Sequence, residues 1–488
     1  MHNDHHTDWN AVAACDAHMH LYRGRPFAWN LQMMRGYMEW FGLERAALMT
    51  LPAMTEIPWW RDDGSNLRCL GVKAALNAEA PARKVYAFAG LHLGDGAAPF
   101  SADEFADQAR RALDMGYDGF KSLQGKPGLR KRCGFALDAP VLDPFYSVLE
   151  ERGKPLVMHV GDPADFWDVA NARPDAKANG WTYDETFPPL AQLRAEAENV
   201  LRKHPALAVN FAHVFFLGED PDEAERLLEA YPNLGLDLTP GWEMNIGFTR
   251  FHDRWHGIVE RFPDRFYFGT DNANWHASAD LASYDEPFRW AYDMDRNLLG
   301  EDPSPFTVEC SGDVHTFRPF GLSPATREAV LRGNFLRRYG AEPVPVDRGL
   351  AVEEAKRLFA FLDRKWPDCT HPDSWRTTLR ILAKVVKGMT IDEAKLRAGF
   401  TPGVFATDVA LRMVAEGVPW REAYHDVRDH LERLKYEDPD AAVAAKTHEG
   451  ATAGLNYAEQ EEISKSERAS IADERRKFAR CLKNLLGV

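Results

Sequence analysis

Along the first two thirds of the chain, short apolar runs alternate with longer segments whose apolar positions recur at helical spacing, the pattern of repeated βα units. The runs expected to be strands are 12–18, 46–51, 85–91, 119–123, 155–160, 208–214, 234–238 and 266–270. Eight such runs over this span predict an α/β chain with a (β/α)8 TIM barrel. The intervening helices carry their own boundary signals. Ser101-Ala102-Asp103-Glu104 is a capping box, in which serine and glutamate satisfy each other's backbone N–H, and that helix should close near Met115-Gly116. Asp220-Pro221 opens another helix that ends near Tyr231-Pro232-Asn233.

Two connections are longer than the rest. Residues 161–205 hold Trp167, Trp181, Tyr183 and Phe187 ahead of their helix, and a second excursion runs from Asp271 to about Phe320. Long loops in compact domains commonly serve as lids, and the aromatic content argues against disorder. Residues 323–339 read as a closing helix with Ser323 as cap and Pro324 at its first position. Glu342-Pro343-Val344-Pro345-Val346 then looks like a linker. Beyond it strand-like runs vanish, and helices are expected at 353–365, 374–387, 390–398, 402–416, 420–434 and 464–486. The expectation is two domains, a barrel over 1–348 and an all-helical domain over 349–488.

Composition narrows the function classes. A chain of 488 residues, 45% hydrophobic, can bury a large core. Its net charge of -15, without a basic stripe, argues against nucleic acid. No apolar run reaches membrane-spanning length, and the polar, His-rich start lacks a signal-peptide core. Six cysteines without paired spacing suit a reducing compartment. The expected setting is the cytoplasm and the expected partner a small-molecule substrate.

The candidate chemistry lies at strand ends. Strand one contains Asp16-Ala17-His18-Met19-His20, where alternation puts Asp16, His18 and His20 on one face, the two imidazoles about 7 Å apart along the strand. Lys121 falls late in strand four, His159 ends strand five, His213 ends strand six, and Asp271 follows strand eight. These are C-terminal strand ends, the face on which barrel enzymes build active sites. One histidine after an apolar run is ordinarily a packed core residue; four with an aspartate at one rim are not readily a coincidence. Imidazole and carboxylate donors suit Zn²⁺, with Mn²⁺ or Fe²⁺ as alternatives, and such an ion brings water to reactivity near neutral pH. Asp271 is then the candidate general base and acid, and Asp16 a brace behind the histidines. Arg23 and Arg25 are candidates for clamping a substrate carboxylate, with solvated loop arginines as the ordinary alternative. His92, Glu243 and Trp167 are further candidates for the barrel mouth, although Trp167 equally suits packing beneath its long loop.

The order HxH on strand one, lysine on four, histidine on five and six, and aspartate on eight resembles the amidohydrolase superfamily, in particular its branch of hydrolases, lactonases and non-oxidative decarboxylases. Lys203-His204-Pro205, Tyr231-Pro232-Asn233-Leu234, Asp264 to Asp271 and Arg332-Gly333-Asn334 support it, over residues 10–340. The resemblance implies a distorted (β/α)8 barrel with one or two divalent metals, bound by His18, His20, His159 and Asp271. His213 would bind a second metal or orient a substrate carbonyl. Lys121 would be carboxylated and bridge two metals, or remain an amine that pairs with a substrate carboxylate. Farther on, Phe405-Ala406-Thr407-Asp408, Gly417-Val418-Pro419-Trp420-Arg421-Glu422-Ala423 and Glu449-Gly450-Ala451-Thr452 resemble the C-terminal helical domain of argininosuccinate lyase. That lyase's catalytic helices have no counterpart here, so the domain is expected to be structural, covering the barrel mouth or a partner subunit in a homo-oligomer. The expected function is metal-dependent hydrolysis of an amide, a related C–N bond or a lactone. The alternatives are metal-dependent decarboxylation of a small unsaturated or aromatic acid, and an inactive barrel used as a binding scaffold.

Overall fold

In the computed structural model, the described residues are 13–20, 27–51, 65–79, 83–95, 98–239, 242–272, 294–310, 313–365, 393–446, 461–469, 473 and 477. Eight parallel strands form one sheet in sequence order: β1 (Ala14–His20), β2 (Leu43–Met49), β3 (Lys84–Gly90), β4 (Gly119–Gly125), β5 (Leu156–Val160), β6 (Val209–Phe211), β7 (Leu234–Asp237) and β8 (Phe266–Tyr267). The first and last strands meet through backbone bonds just past β8. Ala17 N–H donates to Phe268 O at 2.9 Å, Asp271 N–H to His18 O at 2.8 Å and His20 N–H to Asn272 O at 2.8 Å. The barrel is therefore closed along a seam that runs directly beside the HxH motif.

Helices cover the outside as the periodicity requires. The capping box forms at Ser101 and Glu104, the helix runs Ala102–Met115, and Gly116 ends it at φ 103°, a left-handed value that glycine adopts without strain. Asp220 caps Pro221–Ala230 by accepting from Glu223 N–H. The closing segment is less regular than a single helix: Pro324–Glu328, a π turn at Ala329–Gly333, then Asn334–Tyr339. From it Phe335 and Tyr339 join Cys15, Ala17, Tyr86, Phe88, Val157 and Tyr267 in a small cluster that fills the barrel, separate from the larger core between sheet and helices.

The chain divides into two packed units between Phe359 and Ala360, within the helix Arg348–Lys365. The start of that helix belongs with the barrel because Asp347 N–H donates to Met115 O at 3.0 Å and Arg111 reaches Glu354 at 3.1 Å. The second unit contains Glu393–Ala398, Ala406–Ala415, Trp420–Asp429 and Pro439–Ala444, packed around Ala410, Ala423 and Val427. The helix expected at 374–387 lies outside the described residues. No helix among the described residues is long and apolar enough to cross a membrane.

Candidate metal centre

Strand β1 departs from strict alternation. Its register against β2 shifts between Asp16 and Met19, a bulge that re-aims side chains. Asp16 and His18 consequently reach different partners. Asp16 accepts from Thr270 Oγ1 at 2.7 Å, Tyr37 O–H at 3.0 Å, His18 N–H at 3.0 Å and Thr270 N–H at 3.2 Å. It thus braces the β1–β8 seam, and burial raises its carboxyl to about 6 against those hydrogen bonds.

His18 turns into the centre. His18 Nε2 lies 3.1 Å from His20 Nε2 and 3.5 Å from Asp271 Oδ1, and His20 Nε2 lies 3.1 Å from the same oxygen. The three donor atoms all fall within 4.8 Å of one another. The outer nitrogens settle which ring atoms carry protons. His20 Nδ1 faces the Met49 carbonyl at 3.2 Å, an acceptor only, so Nδ1 bears the hydrogen and Nε2 a lone pair. His18 Nδ1 faces Asp237 Oδ2 at 3.0 Å, while the donor-only Lys121 Nζ approaches His18 Nε2 at 2.8 Å. Two imidazole lone pairs and a carboxylate oxygen thus point into one space, a donor set that fits a divalent cation. Burial lowers His20 to about 4 against the pull of Asp271, keeping it a neutral ligand. Lys121 is drawn down to about 8 by burial, opposed by Asp237 and Asp271.

His213 joins from β6 by an unusual route. Residues His213, Val214, Phe215 and Phe216 all have φ between 50° and 57°. A left-handed turn of four residues with side chains costs about 1–2 kcal/mol per residue, so surrounding contacts must hold it. They do: His213 N–H donates to Asp237 Oδ1 at 2.9 Å, Val214 is buried, Phe215 stacks on Phe211 at 4.2 Å, and Arg194 donates to Phe216 O at 3.3 Å. The turn puts His213 Nε2 3.9 Å from Asp271 Oδ2 and sets the Phe216 ring against both His213 and His159, at 5.2 and 5.5 Å. Burial brings His213 down to about 3.

His159 stands beside this group but is aimed elsewhere. Its ring is 5.0 Å from that of His213, while its Nε2 faces Asp162 Oδ1 at 3.4 Å. Asp162 also takes Lys126 Nζ at 2.7 Å and the Tyr183 hydroxyl, tying the 161–205 excursion to the strand end. That excursion has its own apolar cluster of Phe166, Ala176 and Tyr183. Trp167 packs against it, its ring tilted against that of Tyr183 at 4.7 Å, and donates to Pro188 O at 3.1 Å. Glu243 lies 3.6 Å from Arg173 of the same excursion. His92 is held in the loop after β3 by Gln108, which bonds both its N–H and its carbonyl, at 2.9 and 3.0 Å. Arg23 and Arg25 lie outside the described residues. Sequence reasoning overlooked Asp237, Thr239 and Asp162. Asp237 carried the same signal as the others, a polar residue ending an apolar strand, whereas Asp162 and Thr239 carried none.

A family model described as Amidohydrolase matches residues 15–341. Argininosuccinate lyase from Sorangium cellulosum is 35% identical over 91 residues, 19% of this chain; the chain spans about a fifth (21%) of that relative's length. Among solved structures, an uncharacterized TIM-barrel protein from Bordetella bronchiseptica is similar at 16% identity and TM-score 0.41, covering 67% of this chain and 100% of that one. A 2,6-dihydroxybenzoate decarboxylase from Rhizobium has 16% identity and TM-score 0.41, covering 67% and 98%. A dihydroxybenzoic acid decarboxylase from Polaromonas, solved with manganese and 2-nitroresorcinol, has 14% identity and TM-score 0.38, covering 67% and 97%.

Proposed function

Because the chain belongs to the amidohydrolase family across residues 15–341, we propose that its barrel is a divalent-metal-dependent hydrolase acting on an amide, a related C–N bond or a lactone of a small molecule. The observation that carries this reading is the convergence of His18 Nε2, His20 Nε2 and an Asp271 oxygen within 4.8 Å, each imidazole presenting its lone pair. When bound, a divalent ion, Zn²⁺ by the donor set with Mn²⁺ or Fe²⁺ as alternatives, supplies Lewis acidity: it makes water a nucleophile near neutral pH and polarises a carbonyl. His18, His20 and Asp271 would hold it, and His159, whose Nε2 faces Asp162 at 3.4 Å, is proposed as a further ligand that would turn from that carboxylate. Asp271 Oδ2, the oxygen turned towards His213, takes a proton from the attacking water and returns it to the leaving nitrogen or oxygen.

A second reading has its own observation. Lys121 sets an amine beside the trio, 2.8 Å from His18 Nε2, and its protonated form suits a substrate carboxylate. Decarboxylation of a small unsaturated or aromatic acid would use it to orient the departing carboxylate, with Asp271 taking a proton from water and passing it to the carbon that loses CO₂. Metal analysis of the purified chain, followed by assays of acid release from amides and lactones and of CO₂ release from hydroxybenzoates, separates the readings. Bound metal with acid release supports the first; CO₂ release without hydrolysis moves the assignment to the second. A metal-free protein indifferent to Asp271→Asn removes both.

A further inference from the structure

Asp237 connects two imidazoles that come from distant strands. Its Oδ2 lies 3.0 Å from His18 Nδ1, and its Oδ1 accepts from His213 N–H at 2.9 Å and from Thr239 Oγ1 at 2.5 Å. Thr239 Oγ1 in turn lies 3.0 Å from His213 Nδ1. Both Asp237 and Thr239 are buried to 1% exposure. Thr239 is also packed in place. A Cβ added at Gly269 would sit 2.8 Å from Thr239 Cγ2 and 3.1 Å from His18 Cβ, so the backbone after β8 presses on both residues.

Proton accounting along this chain leaves one solution. A hydroxyl has a single proton, and an ionised carboxylate only accepts. The Thr239 proton therefore goes to Asp237, and only oxygen lone pairs remain to face His213 Nδ1. That nitrogen must bear the hydrogen, which leaves His213 Nε2 with a lone pair, 3.9 Å from Asp271 Oδ2. The geometry assigns Asp237 and Thr239 as positioning residues: one carboxylate sets the Nδ1–H tautomer of His18 directly and of His213 through the Thr239 hydroxyl, making His213 a metal ligand or proton acceptor. It excludes neutral His213 as a hydrogen-bond donor to a substrate carbonyl. The purpose of the lone pair rests on the metal-site reading above; the tautomer does not.

The test uses the full chain with ¹⁵N-labelled histidine. Long-range ¹H–¹⁵N correlation spectra, with His213 identified by the signal lost in His213→Gln, should show the Nδ1–H pattern. Calorimetric titration with Zn²⁺ and with Mn²⁺ supplies the second readout. Thr239→Val, which keeps the shape and removes the hydroxyl, should weaken affinity roughly 10–100-fold, the usual effect of losing a partner behind a ligating histidine. Thr239→Ser should restore most of it, which a merely structural role would not require. An Nε2–H pattern in the unmodified chain overturns the inference, as does an Nδ1–H pattern of His213 that persists unchanged in Thr239→Val. An unmodified chain that binds neither ion defeats the metal-site reading, while its spectrum still decides the tautomer. The spectrum also decides if Thr239→Val does not fold.

Discussion

Asp16→Ala tests what the β1–β8 seam contributes. Asp16 receives four hydrogen bonds, and adding about 1.5–3 kcal/mol for each charge-assisted bond would give a loss of about 6–12 kcal/mol. The structure argues for much less. Tyr37 O–H and Thr270 Oγ1 are 3.0 Å apart and keep each other as partners, and Thr270 N–H retains His18 O at 3.2 Å. The His18 N–H is orphaned, and so is one hydroxyl proton, since only one of Tyr37 and Thr270 can donate to the other, at about 1–3 kcal/mol each. The carboxyl's rise to about 6 says the same thing from the other side: desolvation already outweighs the hydrogen bonds to the ionised form. The expected loss is therefore about 2–6 kcal/mol, felt locally. Hydrogen exchange of the peptide containing residues 14–20, followed by mass spectrometry, reads it directly. Exchange there should accelerate roughly 25- to 20,000-fold, since every 1.4 kcal/mol is tenfold. Asp16→Asn, which keeps an oxygen for His18 N–H, should fall well below that. Acceleration beyond roughly 20,000-fold would mean the four bonds add, and none at all would mean the seam does not depend on Asp16; either result refutes the reasoning.

Other outcomes follow from the same geometry. Asp271→Asn should lower turnover roughly 10²–10⁴-fold, the range of a lost general base, together with weaker metal binding measured on the purified variant. At the opposite end of the barrel, Lys73 Nζ donates to Asp118 Oδ2 and Gly116 O, both at 2.6 Å, and Asp118 also accepts from Ala87 and Val344 N–H. Asp118→Asn should cost about 3–5 kcal/mol, read from the shift in urea midpoint of the barrel transition, because it strands a buried ammonium. Lys73→Met combined with Asp118→Leu should recover only part, since the two backbone amides still lose their acceptor. Tyr183→Phe removes the excursion's hydroxyl from Asp162 but leaves Lys126 in place; stability should change by about 1 kcal/mol or less, with faster limited proteolysis within residues 161–189 as the sign of a loosened anchor.

The period of the apolar positions determined the architecture: eight strands in sequence order, parallel because helices separate them, and a helical region after the Pro-rich linker. It also brought out His18, His20 and Asp271, because residues at the ends of adjacent strands of a closed sheet must be neighbours whatever the side chains do. What sequence spacing could not specify was orientation. The register of β1 shifts between Asp16 and Met19, and Asp16 meets Thr270 and Tyr37 while His18 meets Asp237 and Lys121. Phe215-Phe216 offered no cue to a left-handed turn, which contradicts local preference and is held by Asp237, Phe211 and Arg194. His159 sits at the expected strand end, yet its Nε2 faces Asp162, and Glu243 pairs with Arg173. For the left-handed turn and for Glu243 the deciding partners, Asp237, Arg194 and Arg173, lie more than twenty residues away, whereas Asp162 is three residues from His159. Local pattern determines which face a residue can occupy, and only the assembled strands determine what meets it there.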